Sequence, residues 1–224
     1  MTDLDPRSAL ATAGGLGLAA ATTTIGALRR VTGPLHRNGA DKPLHPAGAV
    51  LEGRLHRQGA RPALGVPHFD APGDDVVLVR ISRAIGLPAA VPDIHGLALR
   101  IPVGEGYADL LFASTGLGRA GRFLLTASRA PGGRPMTTLL PYRTNRGPVV
   151  LAAVPCGPDK FDLLSAIGTG PWRPLARLEV SSTPADDALV SFDPLLNTLP
   201  GLDNYGWVRR LREPAYAAAR LVRR

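Results

Sequence analysis

From about residue 48 to residue 182 apolar and polar positions alternate in short runs broken by glycine and proline. Period-two runs bounded by turn residues mark β-strands, because successive side chains of a strand point to opposite faces. The runs fall at 49–57, 76–82, 97–103, 109–114, 122–128, 136–142, 148–154 and 175–181. Eight strands at this spacing, with no long helix between them, predict a closed antiparallel barrel rather than a parallel sheet with crossover helices. Helical patterns flank this region. Leu18, Ala21, Ile25 and Leu28 recur at helical spacing near the start, and residues 207–224 predict a second helix that Pro214 kinks or delays. The fold class is therefore α+β, mainly β, with residues 1–40 as an N-terminal helical arm and 41–224 as the domain proper.

Composition narrows the class further. A chain of 224 residues, 45% hydrophobic and 20% charged, has the apolar surface for one core, and disordered or fibrous readings are excluded. The 26 glycines and 22 prolines require frequent turns, in keeping with short strands. A single cysteine, Cys156, excludes an intrachain disulfide and a thiolate-only zinc site; it fits a reducing compartment, and a cytoplasmic location is expected. Residues 8–28 carry no charge, which is length enough to cross a bilayer. They are mostly Ala, Gly and Thr, and Asp3 and Asp5 precede them, so the expectation is a small-residue helix packed on the domain, on a partner, or peripherally on a membrane. The net charge of +8 favours an anionic partner: nucleic acid, a lipid surface, or a cofactor carrying carboxylates.

The candidate chemistry is concentrated in three runs. No Gly-x-Ser-x-Gly, Walker loop, His-Glu-x-x-His or paired-cysteine motif is present. His45 opens HPAGAVLEG, where Gly48 and Gly53 permit a flat group to lie close to the backbone. In VRISRAIG, Arg80 and Ser82 alternate and so share one face; turned inward beside an inward His45 they would need a polar partner, and turned outward they are simply solvated. Near the end, Arg212, Tyr216 and Arg220 lie at i, i+4 and i+8, one helical stripe with a phenol between two guanidinium groups. Positive charge favours phenolate, a strong ligand for ferric iron. The plainer reading of the stripe, with Arg209, Arg223 and Arg224, is a basic helix that binds phosphates or is merely solvated.

In this order the runs resemble the heme catalase superfamily. HPAGAVLEG resembles the distal-histidine segment through His45, Gly48, Ala49 and Gly53. VRISRAIG is similar to the family's Val-Arg-Phe-Ser run, and PDIHGLALRI to its Arg-Asp-x-x-Gly-Phe-Ala-x-Lys segment through Asp93, Gly96, Ala98 and Arg100. KFDL, PLARLEV and FDPLLNTLPGL look like the stretches leading from barrel to proximal helix, and Arg212 with Tyr216 keeps the family's Arg-x-x-x-Tyr spacing. The resemblance implies a catalase-like eight-stranded antiparallel barrel holding heme b inside it, with an N-terminal helix and a C-terminal proximal helix. It implies Tyr216 as the axial iron ligand supported by Arg212, and His45 as the general acid–base that moves a proton between the two peroxide oxygens. Ser82 would orient His45, while Lys42 and Arg80, with Arg220 a weaker candidate, would pair with the heme propionates.

Departures shape the functional expectation. Where the family carries Asp-Leu-x-Gly-Asn-Asn-Thr, this chain reads DLLFAST and places Ser114 at the distal asparagine, so peroxidase chemistry is favoured over rapid disproportionation. Ala217–Ala218–Ala219 replaces the family's Pro-Asp-Thr, and the sequence stops soon after Tyr216, the pattern of a stripped core without the family's terminal regions. The implied function is a heme-dependent oxidoreductase acting on hydrogen peroxide or organic hydroperoxides with an unspecified reducing co-substrate. Homo-oligomer formation is compatible with this reading and nucleic acid is not an expected partner. Two alternatives stand beside it: isomerisation or dehydration of a lipid hydroperoxide on the same heme, and a heme-free catalase-fold binding protein whose basic C-terminal helix contacts nucleic acid or anionic lipid.

Overall fold

A computed structural model describes residues 47–83, 91–185 and 190–221. Along the chain run β1 (Ala47–Gln58), the one-turn helix α1 (Pro67–Asp70), β2 (Pro72–Arg83), β3 (His95–Val103), β4 (Gly106–Ser114), β5 (Met136–Thr137), β6 (Tyr142–Thr144), β7 (Gly147–Gly157), β8 (Lys160–Ile167), β9 (Arg173–Pro184), β10 (Asp203–Asn204) and α2 (Gly206–Leu221). Strands β7-β5-β4-β3-β2-β1-β9-β8 are hydrogen-bonded in that order, and β8 returns to β7, so eight antiparallel strands close into a barrel. The short strands β6 and β10 hang on the outer side of β7 as an added ladder.

Alternation explains the closure. Leu97, Leu99 and Ile101 on β3 face Phe112, Leu110 and Ala108 on β4, and all six are buried. The row Leu51–Val79–Leu99–Leu110 crosses four strands and fills the lumen with aliphatic side chains. These packed side chains face the lumen, and Arg80, Ser82, Gly96 and Ala98 fall on the opposite, outer face of the same strands. Charge is handled at the rim. Arg57 binds Asp75 at 2.7 Å, and His68 on α1 reaches the same carboxylate at 3.1 Å. Burial, then the charge of Arg57, holds the His68 imidazole below its ordinary 6.5, against the opposing pull of Asp75. The unfolded chain therefore takes this proton first on acidification, and stability is expected to fall as pH drops through about 6.5. Urea unfolding at pH 7.5 and 5.5 checks this, with His68→Gln expected to reduce the difference.

Three strand boundaries differ from the sequence pattern. Residues 122–128 are not a strand: a 3₁₀ turn at Gly121–Phe123 and isolated bridges Thr115–Leu125 and Asp93–Ser128 replace it. The cause is Arg122, buried with its guanidinium over the Trp172 ring and donating to the carbonyls of Gly118, Gly168 and Gly170. Strand β8 takes its place in the ring, so KFDL lies within the barrel rather than after it. Ser165 at an inward position and Leu164 at an outward one disguise its alternation. The run 136–142 breaks into β5 and β6 at Leu139, whose φ of 60° lies in the left-handed region. At the far end α2 continues through Pro214, which is exposed and costs the helix the bond to the Arg210 carbonyl. The expected N-terminal helix lies outside the described residues, among which no helix is long and apolar enough to cross a membrane.

Candidate functional site

Small residues line one outer stretch of the barrel. Gly48, Ser82, Gly96 and Ala113 are successive cross-strand partners on β1, β2, β3 and β4 and so share a face. The neighbouring row, two residues along each strand, is Val50, Arg80, Ala98 and Leu111. Together they form a low floor bearing one guanidinium and one hydroxyl. Arg80 and Ser82 share a face as their alternation requires, and they are 7% and 8% exposed although that face is the outer one. His45 and Lys42 lie outside the described residues.

Ser114 is not brought to this floor. It follows Ala113, so its side chain turns to the inner side with Phe112 and Leu110. There its hydroxyl donates to the Thr126 carbonyl at 2.6 Å and accepts from the His95 backbone N–H at 3.1 Å. The residue of DLLFAST that faces the floor is Ala113, which supplies no polar atom.

Helix α2 is anchored at the Ala113 end. Val208 is buried with Leu139 and Leu140, and Ala113, Leu125, Tyr205 and Trp207 pack around them. One turn on, Arg212 donates to the Thr138 carbonyl at 3.1 Å. That carbonyl is turned outward by a tight bend in which Leu140 N–H also bonds to it at 2.6 Å, across Leu139 in its strained conformation. Two turns beyond Val208, the partly buried Tyr216 makes no hydrogen bond through its hydroxyl among the described residues. Burial pushes this phenol up to about 12; the Arg212 guanidinium opposes the rise, and Tyr142, Asp193 and Asp109 add to it. Alone at neutral pH the group is a phenol, and coordination to a strong Lewis acid would release its proton.

Arg220, expected to face propionates, is held by carboxylates: it binds Asp193 at 2.6 Å and also Glu213. The missed partners, Thr138, Tyr142 and Asp193, carry no motif that sets them apart from ordinary strand and loop residues. Among the described residues no group of three or more His, Cys, Asp and Glu is placed to hold a bare metal ion.

No family model matches the chain, and no curated protein is similar to it in sequence. Solved structures are similar in fold. One described as a bacterial catalase superposes with a TM-score of 0.57 at 14% identity, covering 88% of this chain and 60% of that one. Catalase A from Saccharomyces cerevisiae gives 0.60 at 13% identity, covering 88% and 63%. The chain has a catalase-like fold and spans less than two thirds of the length of these two proteins.

Proposed function

Starting from a catalase-like fold, we propose that this chain binds heme b on the floor between β1–β4 and α2, where the Tyr216 oxygen would hold its iron. In this reading it reduces hydrogen peroxide or an organic hydroperoxide while oxidising a second substrate. The observation that carries the proposal is Tyr216 itself: an oxygen donor with no hydrogen-bond partner among the described residues, on the helical stripe that also carries Arg212 and joined by its helix to a floor of Gly and Ala. Bound heme would supply redox-active iron for the reduction of a peroxide. The chain's own part is to fix Tyr216, to place Arg80 near a propionate, and to move a proton between the peroxide oxygens through His45. With the Ser114 hydroxyl engaged on the inner side and Ala113 on the floor, the DLLFAST run would offer a peroxide no amide donor, which supports oxidation of a co-substrate over rapid disproportionation.

The direct test is to purify the protein with hemin supplied and to record visible spectra of the wild type and Tyr216→Phe. A stoichiometric high-spin ferric spectrum that is lost in Tyr216→Phe is expected. An unchanged spectrum in the variant, or no binding by the wild type, overturns the assignment. On the loaded protein, oxidation of a phenolic or amine reductant is expected to exceed oxygen release from peroxide.

A further inference from the structure

Arg122 is a buried cation without a counter-ion. It is 3% exposed, and its guanidinium donates to the carbonyls of Gly118, Gly168 and Gly170 and lies 4.2 Å from the centre of the Trp172 ring. Among the described residues no carboxylate binds it. Carbonyl dipoles and a ring soften the cost of burying this charge but leave its field uncancelled.

Three turns are tied together around it at one end of the barrel. Trp172, in the β8–β9 turn, donates through Nε1 to the Leu117 carbonyl at 2.8 Å, so the loop carrying Arg119 packs on that turn. The Gly168 N–H of the same turn donates to the Pro148 carbonyl at 2.7 Å, which brings the β6–β7 turn with Arg146 alongside. Arg119, Arg146 and Arg173 are exposed and form no ion pair among the described residues. The sequence offers little to neutralise them: residues 110–158 contain six arginines and no Asp or Glu, and residues 163–178 contain no acid either. Ile167, 42% exposed, and the partly buried Trp172 flank the β8–β9 turn. Uncancelled positive charge and uncovered apolar surface thus meet in one place.

We propose that these turns, through Arg119, Arg146, Arg173 and Ile167, dock the protein on an anionic phospholipid surface. The arginines pair with headgroup phosphates, while Ile167 and Trp172 enter the boundary between headgroups and acyl chains. Nucleic acid is the weaker match, since base stacking needs open aromatic faces and Arg122 already covers one face of the Trp172 ring. Heme takes no part, so the outcome is independent of the Tyr216 reading.

Co-sedimentation of the full chain with phosphatidylcholine vesicles, with and without phosphatidylserine, measures the docking. Binding only to the vesicles that contain phosphatidylserine is expected, weakening as salt rises. Arg119→Gln/Arg146→Gln/Arg173→Gln is expected to lower the affinity about hundredfold, the usual worth of three basic residues near an anionic surface. Arg54→Gln/Arg209→Gln/Arg210→Gln takes the same charge from β1 and α2 and is expected to bind within about threefold of wild type, because those charges are screened from the surface. Equal losses in the two triple variants overturn the proposal, as does a wild type that ignores the charged vesicles or is displaced from them by single-stranded DNA at equal phosphate concentration. The chain has two tryptophans, so emission of Trp207→Phe reports Trp172 alone. Vesicles with brominated acyl chains are expected to quench it, and unquenched emission overturns the proposal even if the first triple variant fails to fold.

Discussion

Asp109→Ala is expected to destabilise the protein by about 3–5 kcal/mol, the cost of stranding a buried charge. Asp109 lies on β4 with its carboxylate fully buried. One oxygen accepts from Arg100 Nε at 2.8 Å. The other accepts from Arg100 Nη2 at 2.9 Å, from the Asp193 backbone N–H at 2.8 Å and from the Asn197 amide at 2.7 Å. Removing it leaves a guanidinium stacked 3.8 Å over Tyr107 with no carboxylate from Asp109, and frees two donors. The damage reaches the site through Asp193, which binds Arg220 on α2. Urea unfolding should show the loss of stability, and hemin titration of the variant should show weaker retention. A change below about 1 kcal/mol would mean that solvent reaches Arg100 and that the network is not a buried one.

His45→Ala is expected to leave hemin binding intact and to slow reaction with peroxide by about 100- to 10,000-fold, the range a positioned proton carrier supplies. Stopped-flow mixing of the loaded protein with hydrogen peroxide measures this step apart from oxidation of the second substrate. Because the hydroxyl of Ser114 is engaged elsewhere and Ala113 is inert, no second proton carrier is available from the DLLFAST run, and the loss should be near the upper end. Equal rates in wild type and variant would take His45 out of the reaction.

Closure of the barrel was legible because its evidence is local: Val77 and Val79 on β2, or Leu97, Leu99 and Ile101 on β3, alternate cleanly with outward residues. What stayed hidden depended on contacts distant in sequence. Arg122 looked like one residue of a strand until loop carbonyls 46 and 48 residues away claimed its guanidinium. Leu139 gave no sign of a bend, since neither Gly nor Asn marks the left-handed position. At the site, the helical stripe of Arg212, Tyr216 and Arg220 followed from spacing alone, but the partners that divide the labour between the two arginines did not: Asp193 takes Arg220, while Thr138 and Tyr142 stand by Arg212. Which side of the sheet Arg80 and Ser82 occupy was likewise undecidable from alternation, which gives two faces without saying which is covered.

The aliphatic row through the barrel makes it a wall and not a conduit. Selection can therefore treat the two sides of each strand separately. Odd positions of β3, such as Leu97 and Leu99, govern whether the chain folds. Even ones, Gly96 and Ala98, lie on the opposite face, Gly96 buried and Ala98 partly so. A bulkier residue at Ala98, which is only partly buried, is expected to cost less thermal stability than one at Leu97 or Leu99.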